Sequence, residues 1–72
     1  MTANKILLQM KYARVVKIFA AQAKISLAKA LSFFYRSQTY RLVSQGIGDM
    51  HCMSDQYLAE DLNNEFLRER EL

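Results

Sequence analysis

Apolar residues recur every three or four positions along most of this chain, and no proline interrupts them. Near the start, Leu8, Tyr12, Val15 and Phe19 follow one another at spacings of four, three and four. This spacing places the four side chains on one face of an α-helix. We therefore expect a helix over residues 4–24. A second, weaker apolar face on this segment predicts that the helix lies between two others.

Local sequence also marks the ends of the next two helices. Ser26 precedes an apolar run and is predicted to cap a second helix, because its hydroxyl oxygen can accept a free backbone N–H. The Ser-Gln-Thr run at 37–39 favours a break, since hydroxyl side chains compete for backbone hydrogen bonds. A short third helix over residues 39–45 should end at Gly46, because glycine adopts the left-handed conformation without strain.

The last helix shows the most regular pattern. Ser54 is its predicted N-cap, and Leu58, Leu62 and Phe66 follow at strict spacings of four. The sequence thus predicts an all-α fold in which residues 1–72 form a single domain, a small bundle of three to four helices with a short third helix. The expected core consists of Leu8, Val15, Phe19, Leu27, Leu31, Phe34, Leu42, Leu58, Leu62 and Phe66.

Composition excludes several classes of protein. Hydrophobic residues make up 51% of the chain, which is too many for a disordered protein. The apolar stretch 6–23 is interrupted by Lys11, Arg14 and Lys17, so it fits neither a membrane span nor a signal peptide, and no membrane association is expected. The single cysteine, Cys52, cannot form an internal disulfide. These features indicate a cytoplasmic protein.

The charges are segregated along the chain. The net charge of +3 combines +8 over residues 1–45, which contain no acid, with −5 over residues 46–72. Like charges three or four residues apart on a helix repel by roughly 0.2–0.5 kcal/mol per pair. Opposite charges that face such a set would offset this repulsion, and they would belong to the same chain, to a second copy or to a separate protein. The alternative is that both sets are simply hydrated surface. The basic stripe comprises Lys11, Arg14 and Lys17, and the acidic stripe comprises Asp61, Glu65 and Glu69.

Several short runs are distinctive as a set. They are Tyr12-Ala13-Arg14-Val15-Val16, Ile25-Ser26-Leu27, Ala30-Leu31, Phe33-Phe34-Tyr35, Ser37-Gln38-Thr39-Tyr40, Gly46-Ile47, Asp49-Met50-His51-Cys52-Met53-Ser54-Asp55 and Tyr57-Leu58. On these runs, residues 8–66 resemble a family of small uncharacterised bacterial proteins known only as a domain of unknown function. The resemblance implies a helical accessory protein without enzymatic activity or cofactor, encoded beside another small protein, as in a toxin–antitoxin-like pair. Relatives are more acidic early in the second helix, where this chain has Lys29, so no partner contact is carried over there.

His51 and Cys52 are the strongest candidates for side-chain chemistry. A catalytic thiol needs a base within hydrogen-bonding reach, and adjacent residues usually point in different directions. Structural zinc sites normally use four Cys or His ligands. Asp49, His51, Cys52 and Glu60 could be combined into a set of four ligands, but only two of them are Cys or His. We therefore expect no catalytic residue, no metal and no cofactor, with His51 and Cys52 as weak metal candidates, and we expect the protein not to be an enzyme.

Residues 26–45 also fit the outline of a helix-turn-helix. In that hypothesis the third helix presents Gln38, Thr39, Arg41 and Gln45 to base edges or phosphates, and clustered basic residues attract the nucleic acid. Two features oppose it, because the turn lacks the glycine common in this motif and the acids of the last 27 residues repel phosphate.

The sequence therefore favours a non-enzymatic protein-interaction module. It would be either homodimeric or the regulatory, antitoxin-like half of a small operon pair, with the basic and acidic stripes as its contact residues. The alternative is a helix-turn-helix-like nucleic-acid-binding protein.

Overall fold

The computed structural model describes residues 5–46 and 52–70, and these form four α-helices. They are α1 (Lys5–Ala23), α2 (Leu27–Tyr35), α3 (Gln38–Gln45) and α4 (Asp55–Arg70). α1 packs against both α2 and α4, so it lies between two helices as expected, and α3 packs against α2 and α4. Of the weaker apolar face of α1, however, Ala20 is buried whereas Ile6, Met10 and Ala13 are exposed. The predicted all-α bundle with a short third helix is confirmed. None of the described helices is long and apolar enough to cross a bilayer.

Serine side chains begin α2 and α4 as predicted. Ser26 Oγ accepts a hydrogen bond of 3.1 Å from the backbone N–H of Lys29, and Ser54 Oγ accepts one of 3.0 Å from the N–H of Tyr57. Each bond satisfies one of the backbone donors that a helix start leaves without a partner. The starts of these helices therefore follow from their own local sequence.

Ser37 separates α2 from α3. Its hydroxyl donates to the backbone oxygen of Phe34 at 2.6 Å and accepts from the N–H of Tyr40 at 3.0 Å, so it closes one helix and caps the next. The predicted break is present, and α3 begins at Gln38, one residue earlier than expected. Gly46 ends α3 with φ 69°, in the left-handed conformation that the sequence predicts.

The end of α1 differs from the prediction by one residue. Lys24 has φ 58°, so the helix stops at Ala23, and the N–H of Ile25 turns back to the oxygen of Ala20 at 3.1 Å. The left-handed conformation costs a residue with a Cβ about 1–2 kcal/mol. The start predicted at residue 4 lies outside the described residues.

Two aromatic clusters fill the core. Phe33 of α2 belongs to one of them, and its neighbour Phe34 belongs to the other. Phe33 lies with its ring centroid 5.7 Å from that of Phe19 and 5.2 Å from that of Phe66, which joins α1, α2 and α4. Phe34 lies 5.3 Å from Tyr12 and 5.1 Å from Tyr40, which joins α1, α2 and α3. The core is completed by Val15, Val16, Ala20, Ala30, Val43, Leu58, Ala59 and Leu62.

Most of the predicted core is confirmed. Val15, Phe19, Phe34, Leu58, Leu62 and Phe66 are buried, Leu8 packs against the cluster from its edge, and Leu42 is half-buried. The prediction is wrong for Leu27 and Leu31, which are 57% and 42% exposed. Ala30 and Phe33 take the inward positions of α2 instead, because the helix is rotated so that both of its phenylalanines are buried.

The rotation of α2 can be tested by comparing one inward and one outward position. Phe33→Leu removes ring contacts with Phe19 and Phe66, and we expect it to lower the free energy of unfolding by at least about 1 kcal/mol. Leu27→Ala should change it by less than about 0.5 kcal/mol, as surface substitutions do. Urea unfolding measures both values. Equal losses in the two variants would contradict the orientation of α2.

Candidate interaction surface

The basic stripe binds a carboxylate outside the acidic stripe. Lys11 Nζ lies 3.0 Å from Asp55 Oδ1, and Arg14 Nε donates to Asp55 Oδ2 at 2.7 Å. Asp55 is the first residue of α4, so this pair of bonds holds the start of α4 against α1. Lys17, the third member of the stripe, is exposed and makes no ion pair with the described residues.

The two cations lower the pKa of Asp55 below its ordinary value of 3.8. The hydrogen bond from Arg14 has the largest effect, followed by the hydrogen bond from Lys11. A depressed pKa means that the ionised carboxylate stabilises the folded state. This stabilisation is complete above the unfolded-state value and is lost as the pH falls through the lower folded-state pKa.

The acidic stripe binds the start of α3. Glu65 Oε2 accepts the N–H of Gln38 at 2.8 Å, and Glu65 Oε1 accepts the N–H of Thr39 at 3.2 Å and its hydroxyl at 3.1 Å. The same hydroxyl lies 3.3 Å from Asp61 Oδ2. A carboxylate at this position satisfies free backbone donors and meets the partial positive charge of the helix start. α4 therefore supplies part of the N-terminal cap of α3.

Glu69 has a partner at the C-cap of α2. Its Oε1 lies 3.1 Å from Arg36 Nη1, and the guanidinium of Arg36 lies 5.1 Å from the ring centroid of Phe33. Each acid of the acidic stripe thus contacts either α3 or Arg36, which directly follows α2. No ion pair joins the two stripes within residues 5–46 and 52–70. Their contact with a second copy or another protein stays a prediction.

The residues of the nucleic-acid hypothesis are only partly accessible. Gln38, Arg41 and Gln45 are exposed, whereas Thr39 is only 2% exposed and faces α4. Recognition helices contact bases mainly through their N-terminal residues. The Glu65 carboxylate occupies that end of α3, so the geometry does not favour this helix for reading DNA.

Of the two candidates for metal binding, the structure describes only Cys52. Cys52 is exposed, and His51 lies outside the described residues. In the part of the chain that the structure describes, no three His, Cys, Asp or Glu side chains are grouped as metal ligands.

An exposed apolar surface on α2 was missed by the sequence analysis. We call it the α2 stripe and define it as Leu27, Leu31 and Tyr35, the last of which is 45% exposed. These residues follow at spacings of four, so they lie along one face of the helix. A signal was present in the sequence, because seven of the nine residues of α2 are apolar, more than a single inward face can bury.

The α2 stripe ends at a groove between α2 and α3. The groove has a volume of about 280 Å³, and its lining includes Tyr35, Tyr40, Arg41 and Gln45. The rings of Tyr35 and Tyr40 meet edge to face with centroids 4.9 Å apart. The exposed apolar surface therefore continues into a concave, partly aromatic site that contains a cation.

Ion pairing leaves a positive surface. Every acid among the described residues accepts a hydrogen bond or forms an ion pair within the chain, since Glu60 also accepts from Gln56 at 3.3 Å. Several basic residues, in contrast, make no ion pair with the described residues. They are Lys17, Lys24, Lys29, Arg41, Arg68 and Arg70, of which Arg70 lies over the ring of Phe66.

The ion pairs of Asp55 with Lys11 and Arg14 predict a shifted titration of the Asp55 carboxyl. In an NMR titration the Asp55 carboxyl should have its midpoint below 3.8, and the double variant Lys11→Gln/Arg14→Gln should raise that midpoint towards 3.8. The control Lys17→Gln/Lys24→Gln removes the same net charge from two residues that make no ion pair with the described part of the chain, and it should leave the midpoint nearly unchanged. An equal rise in both double variants would show that net charge, not the two contacts, sets the pKa.

The cap on α3 predicts a second effect. Glu65→Ala leaves the amides of Gln38 and Thr39 without an acceptor, and we expect a loss of about 1–2 kcal/mol in urea unfolding. Hydrogen exchange at these two amides should accelerate. Glu69→Ala is the control, because its ion pair with Arg36 is exposed and should contribute less than about 1 kcal/mol. Unchanged exchange in Glu65→Ala would contradict the capping role.

Comparison with known proteins finds no relative of this chain. No protein family, no curated protein and no solved structure matches the chain.

Proposed function

We propose that this chain is a non-enzymatic protein-interaction module that binds its partner through the α2 stripe. The observation that carries the proposal is the row of large apolar side chains that α2 leaves exposed. Contiguous exposed apolar surface on a small protein is typical of an interaction site. Leucine and tyrosine side chains bury large areas, and a tyrosine hydroxyl keeps a polar contact at the edge of an interface.

The packing of α2 supports this proposal. Phe33 and Phe34 are buried on the inner side of the helix, so the α2 stripe is presented by a helix whose rotation is already determined. A surface that is ordered before binding loses less conformational entropy on association. This suits a small accessory protein of the kind that the family resemblance implies, whether its partner is a second copy or the product of a neighbouring gene.

The charged stripes have a supporting role in this proposal. Five of their six members bind groups within the chain and hold the helices around α2 together: Lys11, Arg14, Asp61, Glu65 and Glu69. An exposed thiol at Cys52 suits a reducing compartment, and we place the module in the cytoplasm.

A charge placed in the α2 stripe tests the proposed function. The wild-type chain should either dimerise in light scattering or retain one stoichiometric protein from its native lysate. Leu31→Asp should abolish that association, because burying an unpaired carboxylate at an interface is strongly unfavourable. The matched control is Leu67→Asp, since Leu67 is similarly exposed but lies on α4, and it should leave association intact.

Circular dichroism of both variants confirms that the helices remain. The proposal fails if the wild-type chain is a monomer that retains nothing. It also fails if Leu31→Asp associates as strongly as the wild type.

A further inference from the structure

We infer that the α2 stripe binds an amphipathic helix of another protein whose apolar face is flanked by acidic residues. The inference rests on the proposed function and names the class of partner. It follows from the charges around the α2 stripe and from the partners that the acidic residues of this chain already have.

Exposed cations flank the α2 stripe on both sides. Lys24 precedes Leu27 by three residues, in the turn that joins α1 to α2, and it is exposed. Arg41 is exposed and lines the groove to which Tyr35 contributes. Neither side chain makes an ion pair with the described residues. A ligand lying along the α2 stripe therefore meets positive charge at each end.

The hairpin formed by α1 and α2 has no acid to oppose such a ligand. Residues 1–45 contain no Asp or Glu, and Lys17 and Lys29 add two exposed cations to the same hairpin. Acidic side chains of a partner would meet attraction, whereas basic ones would meet repulsion. The charge pattern thus discriminates between partners whose apolar faces are the same.

The shape of the surface fits a helix. Leu27 and Tyr35 are eight residues apart, so the α2 stripe is about 12 Å long, or roughly two turns of a facing helix. Helix-in-groove recognition uses apolar anchors at spacings of three and four over such lengths. The groove beside Tyr35, with a volume of about 280 Å³, would receive one anchor side chain near Arg41.

A second copy of this chain is a poorer match. Its described acids, Asp55, Glu60, Asp61, Glu65 and Glu69, are already hydrogen-bonded within the chain. Pairing Asp55 or Glu65 with Lys24 or Arg41 of another copy would compete with the contacts that they make with α1 and α3. Two α2 stripes in contact would also bring like charges together at their ends.

Selection from a helix library tests the inference. The full chain is immobilised and offered a displayed library of 18-residue amphipathic helices, with leucines fixed along one face and all polar positions randomised. We expect the retained peptides to be enriched in Asp and Glu. Leu31→Asp should weaken their binding at least about tenfold, as loss of a central anchor does. Lys24→Glu/Arg41→Glu should shift the enrichment towards Lys and Arg.

Arg68→Glu/Arg70→Glu is the matched charge control, because both residues lie on α4, and it should retain the acidic preference. Retained peptides that depend on Leu31 but show no acidic enrichment would overturn the inference and leave the proposed function standing. A dimer of the chain that Leu31→Asp dissociates would do the same and identify a second copy as the occupant. If no peptide is retained through Leu31 and the chain is also a monomer without partners, both proposals fail.

Discussion

The burial of two consecutive phenylalanines determines which face of α2 is exposed to solvent. Side chains of adjacent helix residues point about 100° apart, so Phe33 and Phe34 can both be buried only if their shared face is turned inward. Phe33 then joins α1 to α4, and Phe34 joins α1 to α3. Ala30 lies on the same inward face, whereas Leu27, Leu31 and Tyr35 face outward. The candidate interaction surface is thus a direct consequence of the packing that stabilises the core.

Most acidic residues in the second half of the chain bind groups in the basic first half. Asp55 binds side chains of α1, Glu65 binds the backbone of α3, and Glu69 binds the residue that follows α2. None of these contacts needs the two charged stripes to face each other. The net charge of +3 therefore does not measure the surface potential well, since the acids are engaged and much of the positive charge remains exposed.

Features decided by a few neighbouring residues could be predicted from the sequence, and features decided by tertiary packing could not. The caps at Ser26 and Ser54 and the left-handed end at Gly46 depend on local backbone donors and glycine geometry. The rotation of α2 about its own axis does not depend on such local features, because Leu31 and Phe33 both lie on plausible apolar faces. The partner of Glu65 is equally hidden, since the amides of Gln38 and Thr39 lie more than 25 residues away along the chain.

The conformation of Lys24 has a consequence for how this chain balances stability against binding. Glycine adopts φ near 58° without steric cost, and it is the residue most often found just after a helix. A lysine there gives up about 1 kcal/mol of stability. The lysine does, however, place a positive charge three residues before Leu27, the first residue of the α2 stripe. The most stable sequence for this fold and the sequence best suited to recognise an acidic ligand therefore differ at this position.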